Sequence, residues 1–229
     1  MEFFDSLIKQ ALENTQGLAE VNYDYNADNA WMDAGSNQVI LQKYSAFELK
    51  GTGFNLVTSA PVKDGITVIG PELCDIKKDC DFTRFTLVQI DEQESEQKSY
   101  NLIRKIEYVK YHYFPDGYMI RTSSRSRKEA VRVSKEAVKK GISFQNVGNL
   151  LINKYKENPA VKGVRVVFIT SDKADHKSFE VLAQKNNSIT ETLNHIMNSV
   201  NFDCDTCNLK PICDEVEGMR ELHFKNKGM

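Results

Sequence analysis

The sequence predicts an α+β protein: a mixed β-sheet with several flanking helices, closed by a C-terminal cysteine-rich metal-binding segment. Three observations predict it. Between Gln38 and Asp91, short β-branched or aromatic runs are separated by Gly, Pro and Asp, the texture of strands and turns. After Tyr100, helical periodicities alternate with further strand-like runs, the clearest being Val164-Arg165-Val166-Val167-Phe168-Ile169-Thr170. Near the end, three of the five cysteines (Cys204, Cys207 and Cys213) fall in a C-x2-C-x5-C pattern.

In chain order, Phe3, Phe4, Leu7, Ile8, Ala11 and Leu12 recur at i, i+3, i+4 spacing, so residues 2–16 read as an amphipathic helix that stops at Gly17. Residues 21–36 are rich in Asn, Asp and Tyr and read as turns. Their Trp31 reads as a packing anchor ahead of a ligand-stacking role. Residues 1–36 are thus a lead-in to an α+β domain over 37–200, with 201–229 as the cysteine-rich segment. Strands are predicted at 39–41, 54–57, 66–69 and 82–88, with Gly51-Thr52-Gly53, Asp64-Gly65 and Gly70-Pro71 between them. Cys74 and Cys80 read as buried or incidental thiols, because a lone cysteine behaves as a small hydrophobe. The polar run 91–98 reads as a solvated loop.

A helix at 100–109, a turn at Pro115-Asp116-Gly117 and a strand at 118–122 come next. Ser126-Arg127-Lys128-Glu129 has the form of a capping box and predicts a helix running to Gly141. Basic residues at 121, 125, 128, 132, 135 and 139 step by three or four, so those from 125 onward would line one face of that helix. Such a stripe is either a solvated face or a docking surface for something anionic, a nucleotide diphosphate or an acidic redox partner, met by Arg121, Arg125, Arg132 and Lys135. A helix at 143–157 precedes Pro159. The β-branched run 164–170 suggests a strand buried on both faces. Helices are then predicted at 176–185, 188–200 and 214–223.

A CxxC pair sets two thiolates on one tight turn, and the third cysteine follows a short Lys-Pro loop. Soft thiolates select iron–sulfur clusters, zinc or copper(I). Hydrophobic content of 41% and charged content of 27% are those of an ordinary soluble protein. A net charge of −2 gives no global pull toward nucleic acid or membrane, and no apolar run approaches the roughly 20 residues of a membrane span. The opening Met1-Glu2-Phe3-Phe4-Asp5 lacks the basic and apolar regions of a signal peptide. With an odd cysteine count, this points to the cytoplasm and to metal chemistry before a disulfide framework. Neither glycine-rich phosphate motif occurs. The four histidines are dispersed and build no hydrolytic arrangement.

The segments Asp64-Gly65-Ile66-Thr67-Val68-Ile69-Gly70-Pro71, Val131 to Gly141, Val147-Gly148-Asn149-Leu150-Leu151-Ile152, the strand 164–170 and the cysteine stretch occur in an order and spacing that resembles one family. It is the β (acetyl-CoA synthase) subunit of carbon monoxide dehydrogenase/acetyl-CoA synthase. The resemblance covers roughly residues 38–223, that family's middle domain and the opening of its cluster domain. There the cysteine stretch ligates a [4Fe–4S] cubane bridged to a dinuclear nickel site, where CO, a methyl group and coenzyme A combine. The resemblance implies Cys204, Cys207 and Cys213 as the first three cubane ligands, although the family's gap before the third is longer. His223 stands where the family has its fourth cysteine: either it is the fourth ligand, since histidine can replace cysteine on iron, or it is a surface histidine and the fourth ligand is Cys74, Cys80, a partner's residue or solvent.

The departures bear on function. No C-x-C occurs in the sequence, so the family's nickel-binding Cys-Gly-Cys element is missing, and the residues ahead of the resemblance have no counterpart in the family's N-terminal docking domain. The resemblance therefore implies an iron–sulfur protein of one-carbon or corrinoid metabolism that does not synthesise acetyl-CoA alone. It would be an electron-transfer or accessory module with a redox or corrinoid protein as partner. Two other readings stand beside it. In one, Cys204, Cys207, Cys213 and His223 form a structural zinc knuckle, since a Cys3His set suits tetrahedral zinc. In the other, the basic stripe binds coenzyme A. Neither nucleic acid nor membrane is expected as partner, and a homo-oligomer stays open.

Overall fold

The computed structural model describes residues 3–28, 31–35, 40–91, 93, 95–122, 129–197, 207 and 209–216. Its first helix, α1 (Asp5–Glu13), buries Leu7 and Ala11, and Gly17 leaves the helix end at φ +77°. The chain then forms a strand, β1 (Glu20–Asp24), where the sequence suggested only turns. Its polar residues are extended because each pairs with β3 (Gly65–Ile69), Asn22 lying opposite Thr67 and accepting its hydroxyl at 2.6 Å. Trp31 is a packing anchor, partly buried against the core, with its Nε1 donating to the Asp116 carbonyl at 2.9 Å.

The predicted strand at 39–41 does not form: Ile40 and Leu41 lie outside any strand and Ile40 is 79% exposed, while Val39 is outside the described residues. The strand that does form is β2 (Ala46–Thr58), and it runs straight through Gly51-Thr52-Gly53. Those glycines do not make a turn. They let neighbours approach: a Cβ on Gly51 would lie 1.6 Å from the Phe82 carbonyl oxygen, and one on Gly53 would lie 2.2 Å from the Glu129 carboxylate. Next come β4 (Cys80–Ile90) and α2 (Glu96–Tyr108), whose cap Ser95 accepts from the Lys98 amide at 3.3 Å. The helix thus takes over part of the polar run read as loop.

After β5 (Tyr118–Thr122), the predicted long helix is replaced by a strand, β6 (Glu129–Ser134), and a five-residue helix, α3 (Lys135–Lys139). Alternation decides this. Glu129, Val131 and Val133 are buried while Ala130, Arg132 and Ser134 are half-buried, which is strand period, and β6 is hydrogen-bonded on both sides, to β2 and β5. The cap of α3 is Ser134, whose hydroxyl accepts from the amides of Glu136 and Ala137. Ser143 caps α4 (Phe144–Lys156), and β7 (Val161–Ile169) follows.

The two helices predicted at 176–185 and 188–200 are one, α5 (His176–Met197). Its buried positions Phe179, Leu182, Asn186, Ile189 and Leu193 keep helical phase across the join, and no Gly or Pro interrupts them. Last comes α6 (Lys210–Glu215).

Among the described residues, seven strands form one sheet in the order β1-β3-β7-β4-β2-β6-β5. The pairs β2/β4 and β3/β7 are parallel and the others antiparallel, so the sheet is mixed, as expected. Helix α4 packs on β3 and β7, while α5 packs on β2 and β4 and touches α1, α2 and α6. Phe144 of α4 stacks on Phe168 at 4.5 Å, and Phe179 of α5 stacks on Phe85 at 5.9 Å. No helix among the described residues is long and apolar enough to cross a membrane.

Candidate functional site

Cys207 and Cys213 bracket the start of α6, and both are half-buried. The Cys207 carbonyl accepts from the Lys210 amide at 3.2 Å, which closes a turn. Pro211 in the first turn presets the helical φ, and the Leu209 carbonyl accepts from the amides of Ile212 at 3.0 Å and Cys213 at 3.3 Å. Leu209 is buried, while Ile212, Cys213 and Val216 pack against the core. A Lys185–Glu215 ion pair ties α6 to α5. The backbone carrying both thiols is thus fixed to the domain.

Cys204 and His223 lie outside the described residues. Among the described residues, no three His, Cys, Asp or Glu side chains gather as a metal-holding group. The described part of the donor set is therefore two thiols, whose chemistry suits a soft metal. The other two cysteines lie far along the chain, before β4 and at its start. Burial and the acids around them push both thiols up, Cys80 to about 11 beside Asp81 and Asp79, and Cys74 in the same direction beside Asp75 and Glu72.

The basic residues meet in a different way from the predicted helical stripe. Arg121 lies on β5, Arg132 on β6 and Lys135 at the start of α3, and Arg125 is outside the described residues. Register, not helical period, brings two of them together: Arg132 sits opposite Glu48 of β2, and Arg121 is one strand further out. Arg121 reaches Glu48 at 3.3 Å and Arg132 reaches it at 3.6 Å. Arg132 also donates to the Leu41 carbonyl, and Lys135 to the Tyr44 carbonyl, both at 2.9 Å. Arg132 and Lys135 thus hold the stretch before β2 against the sheet, while Arg121 and Arg132 share the Glu48 carboxylate.

The sequence reading missed the polar group that holds β6 in place. Arg84, 1% exposed in the centre of β4, makes a two-pronged pair with Glu129: Nε to Oε1 and Nη2 to Oε2, each at 3.1 Å. Its Nη1 donates to Thr86 at 2.7 Å and to Asn55 at 3.2 Å. Asn55 also accepts from the Tyr155 hydroxyl at 2.6 Å and donates to Glu107 at 3.1 Å. Burial opposes the charge on Arg84, yet the adjoining Glu129 carboxylate holds its pKa above the ordinary value. Burial likewise pushes the Glu107 carboxyl up, against Lys110 and Asn55, which lower it. The signal was present in the sequence: an arginine inside the otherwise apolar Phe82-Thr83-Arg84-Phe85 run needs a buried partner. Glu129 is that partner, and not the capping residue its spacing suggested.

The described residues define an α+β scaffold with a mixed seven-stranded sheet, carrying two free thiols beyond its last long helix. The family model for the β subunit of the CO dehydrogenase/acetyl-CoA synthase complex matches residues 40–175, more than half of the chain, and the chain belongs to that family. The match runs from before β2 to the residue before α5, so the cysteine stretch lies beyond it. No curated protein matches the chain.

Proposed function

We propose that the chain is a cluster-carrying accessory module of its family. It would exchange electrons with a redox or corrinoid protein of one-carbon metabolism, without acetyl-CoA synthase activity of its own. The observation that carries this reading is the anchored pair Cys207 and Cys213, set on a closed turn and the first turn of a helix that packs on α5. Cys204 would complete a thiolate set, and His223 would be the fourth ligand. When bound, a [4Fe–4S] cluster would supply one-electron chemistry at a potential tuned by burial and hydrogen bonds to sulfur. The chain's own residues do the holding: Leu209 and Ile212 seat the turn, and Lys185 fixes the far end of α6 through Glu215.

The test is the metal content of Cys207→Ala and Cys213→Ala, purified without oxygen. Each variant is expected to keep its fold, by circular dichroism, and to lose at least half of its bound iron and sulfide. Two folded variants with the wild-type metal content would sink the proposal.

A further inference from the structure

The outer surface of α2 and the single turn after it, Val109–His112, has no part in the reading above. Tyr108 and Tyr111 are 51% and 49% exposed there, with ring centroids 5.9 Å apart. Cations surround them. Arg104 and Lys105 are exposed, and Lys110 Nζ lies 5.4 Å from the Tyr111 ring. Glu107 is half-buried beneath them, where it accepts from Asn55 at 3.1 Å and pairs with Lys110 at 3.9 Å, so that Arg104 and Lys105 are the exposed cations of this surface. The surface is therefore cationic on a chain whose net charge is −2. Beside it, between the ends of α2 and α4, lies a hollow of about 360 Å³ whose lining includes Lys105, Ile106, Val109, Tyr155 and the Lys154–Glu157 ion pair.

Exposed tyrosines next to arginine are the residue types that dominate binding energy in protein interfaces, and a rim of like charge selects a partner of the opposite sign. Nucleic-acid binding draws its affinity from neutralising a run of phosphates, and two exposed cations, Arg104 and Lys105, make no such run. We propose that this surface docks an acidic protein. The partner's carboxylates meet Arg104 and Lys105, its apolar or aromatic side chains cover Tyr108 and Tyr111, and one of them enters the hollow. The proposal is independent of the cysteines and of any metal they hold.

A labelled random copolymer of glutamate and tyrosine, which supplies both carboxylates and rings, probes the surface by fluorescence anisotropy on the full chain. Binding is expected to weaken severalfold between 50 and 300 mM salt, as screening requires. Arg104→Glu with Lys105→Glu should weaken it about tenfold or more, as charge complementarity requires. Tyr108→Ser with Tyr111→Ser should weaken it while leaving the salt dependence intact. The same charge change on another exposed surface, Lys173→Glu with Lys177→Glu, should not alter it beyond about twofold, since distant charges are screened. No binding of the copolymer at millimolar concentration would overturn the proposal. So would equal binding by wild type and the Arg104/Lys105 variant, or tighter binding of a single-stranded DNA 20-mer to the same residues.

Discussion

Glu129→Ala removes the carboxylate that takes two of the four hydrogen bonds of the Arg84 guanidinium and leaves an uncompensated positive charge inside the domain. Arg84 is 1% exposed and makes four hydrogen bonds, two of them to Glu129. Removing one member of a buried pair costs about 3–5 kcal/mol, because the survivor is buried without compensation. Against a whole-domain stability of about 5–15 kcal/mol, that is a large fraction, and in a chain of this size it lowers Tm by roughly 6–20 °C. Urea unfolding followed by circular dichroism reads the change. Arg84→Met combined with Glu129→Leu removes both charges, and Asn55 keeps the Tyr155 hydroxyl as a donor. The double variant should therefore cost much less than the two single changes summed, a coupling of about 2 kcal/mol or more. A single variant within about 0.5 kcal/mol of wild type, or a double variant that costs the full sum, would refute this account of the buried pair.

Three further outcomes follow from the same geometry. Gly53→Ala should destabilise by several kcal/mol or block folding, since its Cβ would sit 2.2 Å from the Glu129 carboxylate. A variant with the wild-type Tm would show that β6 is not held against β2 there. Burial raises the Glu107 carboxyl above its ordinary 4.5, so the folded state holds that proton more tightly than the unfolded chain does. Stability from this group is full below about pH 4.5 and falls as pH rises through the folded pKa. Glu107→Gln should flatten that fall above about pH 4.5, and parallel stability curves would count against it. Cys80, pushed to about 11, should be alkylated by iodoacetamide at a rate that climbs steadily from pH 8 to 10. A rate already on its plateau at pH 8, by peptide mass spectrometry, would contradict that.

Much of the scaffold was legible because it rests on local pattern. The strands at 66–69, 82–88 and 164–170 and the helix at 143–157 follow from β-branched runs and helical period, and all were found, within a few residues at their ends. Errors came where tertiary pairing overrides local chemistry. Glu20 to Asp24 is polar and turn-like in sequence, yet the edge of β3 makes it a strand. Ser126 to Glu129 imitates a capping box, while β2 and β5 claim residues 129–134 from both sides. Gly51 and Gly53 look like a turn until Phe82 and Glu129 are seen to need the space their missing side chains leave. For the candidate site, the thiols were visible as a spacing. The grouping of Arg121 and Arg132 around Glu48 was not, because it depends on the register of three strands.

The central claim is that the cysteine segment carries a cluster. Iron, acid-labile sulfide, zinc and nickel per chain, measured on protein purified without oxygen together with its visible spectrum, test it most directly. About four irons and four sulfides per chain, with a brown, reducible chromophore, are predicted for one cubane. One zinc per chain with no sulfide would contradict the account and leave a structural zinc site on the same scaffold.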